Sequence, residues 1–316
     1  MSKDIEDKLA KIPLLNVIVD VLKRIKLPGL EGLSLYDLIE MYILGIINGA
    51  LTSRAGAVAF SFFMAIFPSL LFLLNLLPYI PIENFQADFI RTITSLLPNE
   101  TAAFLNEIIV DIVKNKRVGL LSTTFFLSIF LMANGVNAIF AGFESSYYIQ
   151  KRRRFFQQYL YALSVGLILA LLLIFTIVVL GYVELYVIPY ISDFAGKTTG
   201  IQVASGNEIA VYIAKFLFII LMVYIGTAIL YYFGTHQGRR AKFFSPGVLL
   251  TTVLIVLTSY LFGIYISNFS QYNELYGSIG ALLILMMYIW LNANILLLGF
   301  ELNASLDMLK KNKQAT

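Results

Sequence analysis

The stretch YLYALSVGLILALLLIFTIVVLGYVELYV, residues 159–187, meets no charged side chain before Glu184. An α-helix needs about 20 predominantly apolar residues to cross a hydrocarbon layer of about 30 Å, and this run exceeds that. No soluble core requires such a length of unbroken apolar surface. Five other stretches read the same way: Gly56 to Leu77, Gly119 to Phe143, Ile209 to Phe233, Pro246 to Asn268 and Ser278 to Leu302. The chain is therefore expected to be an all-α, polytopic membrane protein with about six spans.

Composition agrees. Of 316 residues, 59% are hydrophobic and 13% charged, with a mean hydropathy of +0.81. Soluble domains run at about 45–50% apolar and about 25% charged, so the apolar excess has to face lipid. The breaks between spans also fit. Pro78 and Pro81 follow the first, where a helix should stop. Ser245-Pro246 opens the fifth as an N-cap and an N1 proline.

Lysine and arginine set the expected orientation. Lys3, Lys8, Lys11, Lys23, Arg24, Lys26 and Arg54 precede the first span. Lys151, Arg152, Arg153 and Arg154 lie between the second and third; Arg239, Arg240 and Lys242 lie between the fourth and fifth; Lys310, Lys311 and Lys313 end the chain. With six spans all four groups fall on one face, which places both termini in the cytoplasm. Residues 1–55 are expected to be a cytoplasmic, interfacial segment, 56–304 the membrane domain and 305–316 a cytoplasmic tail. Ile5, Leu9, Ile12, Leu15, Ile18, Leu22 and Ile25 recur at helical spacing among lysines, as in a helix lying on the membrane surface. A second interfacial helix is expected from Ser34 to Gly49. Residues 79–118 carry two amphipathic patterns, Phe85, Phe89, Ile93, Leu97 and Phe104, Ile108, Ile112, separated by Pro98-Asn99. They read as an outer helical hairpin, either a structural cap or a lid.

Several reaction classes drop out. The chain has no cysteine and one histidine, His236. Thiolate chemistry, iron–sulfur clusters and zinc sites built from several histidines are excluded. No phosphate-binding loop or dinucleotide fingerprint occurs, so no ATPase of its own is expected. Nor is any cofactor, metal, enzyme activity or nucleic-acid partner; a net charge of +4 is no field suited to nucleic acid.

The candidate site residues are polar groups in or beside apolar spans. A charge at the centre of a membrane helix costs roughly 2.5–3.5 kcal/mol by insertion scales. Arg54, Glu144 and Glu301 fall at one depth near the cytoplasmic face. Arg54 paired with Glu144 or Glu301 would satisfy the charges; the alternative is that each snorkels to the interface. Asn134, Asn137, Asn292 and Asn294 lie within spans, where interhelical hydrogen bonds are the ordinary use and a polar pathway the sharper one. Lys215, in the outer part of span four, is placed to reach the interface or Glu184. Lys151, Arg152, Arg153 and Arg154 are candidates for contact with acidic lipid headgroups. Gly45 and Gly49 have the small-residue spacing of a helix-dimer motif, so a homo-oligomer is considered.

Three blocks carry a family resemblance: AVAFSFFMAIFP at 57–68, NGVNAIFAGFESSYYIQKRRRF at 134–155 and YGSIGALLILMMYIWLNANILLLGFELNA at 276–304. Together they resemble the YihY/BrkB family, including proteins labelled UPF0761, over roughly residues 35–305. Tyr276, Gly277, Ser278, Trp290, Gly299 and Glu301 match its last motif. The resemblance implies six spans in the bacterial inner membrane. It also implies links to virulence, or to envelope lipid or lipopolysaccharide transport. The family's older label, ribonuclease BN, sits badly with a chain that lacks a histidine cluster.

The expected function is a transporter or flippase of lipid or another amphiphile; the alternatives are a permease or channel for small solutes or ions and a non-transporting scaffold, with a membrane enzyme the least favoured reading.

Overall fold

A computed structural model describes residues 21–26, 34–36, 39–40, 43, 46, 50–79, 110–111, 115–146, 149, 153–188, 204–235, 243–268 and 278–314. Most of the first expected interfacial helix, more than half of the second and most of the outer hairpin lie outside these residues, as do Gly45, Gly49 and His236. The six long helices among them are α1 (Leu51–Leu76), α2 (Val118–Glu144), α3 (Phe155–Tyr182), α4 (Ala204–Gly234), α5 (Pro246–Asn268) and α6 (Ser278–Gln314). All six contain stretches long and apolar enough to cross a membrane. At 1.5 Å per residue, the 26 residues of α1 extend about 39 Å, more than the hydrocarbon thickness.

Local sequence explains the ends. Ser245 Oγ accepts from Val248 N at 3.4 Å, the N-cap bond anticipated for Ser245-Pro246. A short 3₁₀ turn, Leu77–Tyr79, carries the chain past Pro78. A π-helical turn, Val183–Val187, extends α3. Two helices begin or run beyond the hydropathic segments. α1 starts at Leu51, which puts Arg54 inside its first turns, and α6 continues through residues 305–314.

The helices form an antiparallel ring. α1 packs on α2, α2 on α3, and so on to α6, which closes on α1. One end carries Arg54, Glu144, Arg153, Thr235, Ser245 and Glu301 and is called the basic end here. α2 crosses the ring to touch α4 and α6, and it does so near that end. Phe143 stacks on Phe300 with centroids 4.2 Å apart, and Tyr231 meets both rings edge-on. The buried core follows the same bias: Leu51, Ala55 and Val58 of α1, Val136 to Phe143 of α2, Ala162 and Val165 of α3, Tyr224 to Tyr231 of α4, Val248 of α5 and Ala293 to Ala304 of α6.

Toward the opposite end, burial thins on three of the helices. On α3 no residue from Leu171 to Tyr182 is buried; on α4 none from Ala210 to Val223; on α6 none from Leu282 to Asn292. Leu173, Ile174 and Phe175 are all exposed, as are Tyr212, Ile213 and Ala214. Three successive helical residues cover about 200° of arc. That is more open surface than one lipid-facing stripe accounts for.

Candidate functional site

Polar groups converge at the basic end. Arg54 of α1 donates from Nη2 to Glu301 Oε1 of α6 at 2.6 Å and from Nη1 to Gly142 O of α2 at 2.7 Å. Ser146, just past the end of α2, donates to Glu301 Oε2 at 2.8 Å. Glu301 is fully buried and the Arg54 side chain nearly so. Of the two partners open to Arg54, the fold selects Glu301. Both carboxylate oxygens are engaged, as a buried charge requires. The cluster ties three helices together at one depth.

Glu144 belongs to a second group. Its Oε1 accepts from Arg153 N at 3.3 Å. Gln158, with its amide nitrogen turned toward Glu144, donates to Oε2 at 3.1 Å, and its oxygen lies 3.3 Å from the Asn137 side chain. Arg153 points into the protein rather than to the headgroup layer. Its guanidinium donates to Phe233 O at 2.6 Å and Thr235 O at 2.7 Å and lies over the Tyr161 ring at 4.5 Å. Those carbonyls close α4, where unsatisfied acceptors and the negative end of the helix dipole attract a cation. Arg154 is exposed, whereas Lys151 and Arg152 lie outside the described residues.

The other candidates disperse. Asn292 Nδ2 donates to Tyr288 O at 2.9 Å and Asn294 Nδ2 to Trp290 O at 2.8 Å. Both bonds lie within α6, not between helices, because an amide of this length reaches the carbonyl one turn back. Lys215 stands over Tyr212 of its own helix at 5.4 Å; the Glu184 side chain lies outside the described residues. Asn134 is half-buried on α2.

Further interhelical bonds come from residues that were not among the candidates. Asn303 accepts from Gly247 N and donates to Ser245 Oγ, both at 2.9 Å, joining α6 to the start of α5. The Tyr231 hydroxyl donates to Leu296 O at 2.6 Å and lies 2.6 Å from Thr251 Oγ1. Gly247 and Gly299 face each other here, and a Cβ on either would strike the other's carbonyl oxygen. Paired small residues at equal depth on α5 and α6 were the available signal. Among the described residues, no group of three or more His, Asp or Glu is placed to hold a metal.

The family model for the virulence factor BrkB matches residues 46–316, covering every helix described above. The chain belongs to the BrkB virulence factor family. Within that family it is 28% identical over 263 residues to the ribonuclease-like protein YfkH of Bacillus subtilis, covering 82% of this chain and 91% of that one. A UPF0761 membrane protein of Xanthomonas campestris is 32% identical over 80 residues, and one of Xanthomonas oryzae is 34% identical over 76. Those matches cover 25% and 24% of this chain but only 19% and 18% of the Xanthomonas proteins. No solved structure matches. With six apolar helices and these relatives, this BrkB-family chain is a membrane protein.

Proposed function

We propose that this BrkB-family protein moves a lipid or another amphiphilic envelope component across the bacterial inner membrane, without an ATPase of its own. The observation that carries the reading is the packing asymmetry of the ring. At the basic end, Arg54, Ser146 and Glu301, the stacked Phe143 and Phe300, and Arg153 against the end of α4 seal the bundle. Away from it, α3 and α4 expose aliphatic and aromatic side chains over more than half their circumference. A bundle packed tightly at one end, with broad apolar surface on α3 and α4 toward the other, suits an acyl-chain substrate better than a hydrated ion. An ion path calls for rings of charge or carbonyls along its length. In this reading the basic end faces the cytoplasm.

The test is transbilayer movement of fluorescent lipid in liposomes holding the purified protein, with anionic and zwitterionic lipids assayed separately. Movement above that of empty vesicles is expected for at least one class; none for any class counts against the reading. A scaffold role is the second reading, favoured by how fully Arg54, Arg153 and Glu301 are engaged within the bundle.

A further inference from the structure

The outward face of α2 carries a regular seam. Leu120, Thr123, Leu127, Phe130, Asn134, Asn137 and Ala141 recur at alternating intervals of three and four residues. Leu120, Thr123, Leu127, Phe130 and Ala141 are exposed, and the two asparagines are half-buried. The other side of the helix, with Thr124, Ser128, Gly135, Val136, Ile139 and Phe143, is buried in the bundle. A 3-4 spacing is the pattern of a/d positions in a left-handed helix pair. Asn134 and Asn137 lie about 15 Å and 10 Å along the axis from the end of α2 at Glu144, which places them inside the hydrocarbon. No described residue hydrogen-bonds the Asn134 side chain, and Asn137 lies 3.3 Å from the Gln158 amide oxygen of α3. Amides on a lipid-facing stripe need a polar partner.

We propose that this seam is a dimer interface, in which α2 of two copies of the chain pair in parallel about a two-fold axis along the membrane normal. Isologous pairing sets each asparagine against its counterpart. An amide is both donor and acceptor, so it is complementary to itself, and a buried Asn at such a position fixes register and partner number. A headgroup track is a poorer fit. Between Asn134 and the far end of α2 the seam offers Leu120, Leu127 and Phe130, and the Thr123 hydroxyl is already bonded to Gly119 O at 2.8 Å. The inference stands apart from the transport reading, since a dimer forms or fails to form whatever the protein carries.

The absence of cysteine from the chain makes the test direct. Phe130→Cys and Ala141→Cys keep both amides and place single thiols on the seam; Leu171→Cys, exposed on α3, is the control. Oxidation of the full-length protein in native membranes is expected to cross-link the two seam variants to a homodimer and to leave the control monomeric. In reconstituted bilayers, Asn134→Ala with Asn137→Ala should weaken dimerisation by about 3- to 30-fold per amide. Equal cross-linking of the control, no cross-linking on the seam, or a cross-linked product containing a different protein would overturn the proposal. So would an Asn134→Ala/Asn137→Ala protein with unchanged dimerisation. A monomer that holds a copurifying lipid in native mass spectrometry, and releases it in that double variant, would assign the amides to a headgroup instead.

Discussion

Arg54 and Glu301 are 247 positions apart in sequence and 2.6 Å apart in the fold. Their pairing closes the ring of six helices where α6 returns to α1. Removing one partner of such a pair strands the other charge without water, which typically costs about 3–5 kcal/mol. Glu301→Leu and Arg54→Leu are each expected to destabilise the protein on that scale. The double variant should recover part of the loss, because no charge is left unpaired. Thermal unfolding of the four proteins in one detergent completes the cycle, and additive losses would contradict the pairing.

The close approach of α5 and α6 rests on two glycines. A methyl group on Gly299 would fall on the Thr251 hydroxyl, and one on Gly247 would strike the Gly299 carbonyl. Backbone and a short β-branched side chain cannot swing aside. Gly299→Ala should therefore cost about 1–3 kcal/mol from overpacking, together with loss of the Tyr231 to Leu296 bond. Gly263 of α5 has open space around it, and Gly263→Ala should be neutral or stabilising by up to about 1 kcal/mol. Melting temperatures of the two variants should move in opposite directions, or only the first should move.

Arg153 and Arg154 are sequence neighbours with different roles. Arg153 satisfies two carbonyls at the end of α4, whereas Arg154 is exposed. Arg153→Lys keeps the charge but loses the planar fork that reaches both acceptors. It is expected to destabilise the protein by about 1–3 kcal/mol, and Arg154→Lys by less than about 0.5 kcal/mol. Chemical unfolding in mixed micelles reads the difference; equal effects would remove Arg153 from the α3–α4 junction.

Long apolar runs made the span count legible in the chain, because crossing lipid is a local property of consecutive residues, but not that α1 starts at Leu51 or that α6 runs on to Gln314. The depth shared by Arg54, Glu144 and Glu301 was legible for the same reason. Which carboxylate meets Arg54 was not, since that depends on how α6 lies against α1. Nor was it visible that Arg153, one of four adjacent basic residues, turns inward. The charge run marks a membrane face, and only the α4 carbonyls distinguish one member from the next. Asn292 and Asn294 show the same dependence on packing. Mid-span amides suggest contact between helices, but the Nδ2 of each bonds within α6, whereas Asn303, near the basic end, makes the bridge.

That contrast supports a last prediction. Asn303 holds Gly247 N and Ser245 Oγ across two helices. Asn303→Ala leaves a buried backbone donor and the α5 N-cap without their partner, at about 1–3 kcal/mol. Asn294→Ala removes only a side-chain bond to a carbonyl that its own helix already uses, and should cost less than about 0.5 kcal/mol. If Asn294 instead meets substrate, Asn294→Ala will lower lipid movement while leaving the melting temperature unchanged, and Asn303→Ala will lower both. Measuring unfolding and liposome transport on the same two preparations separates a packing residue from a pathway residue. A fall in transport for Asn303→Ala at unaltered stability would reverse the assignment.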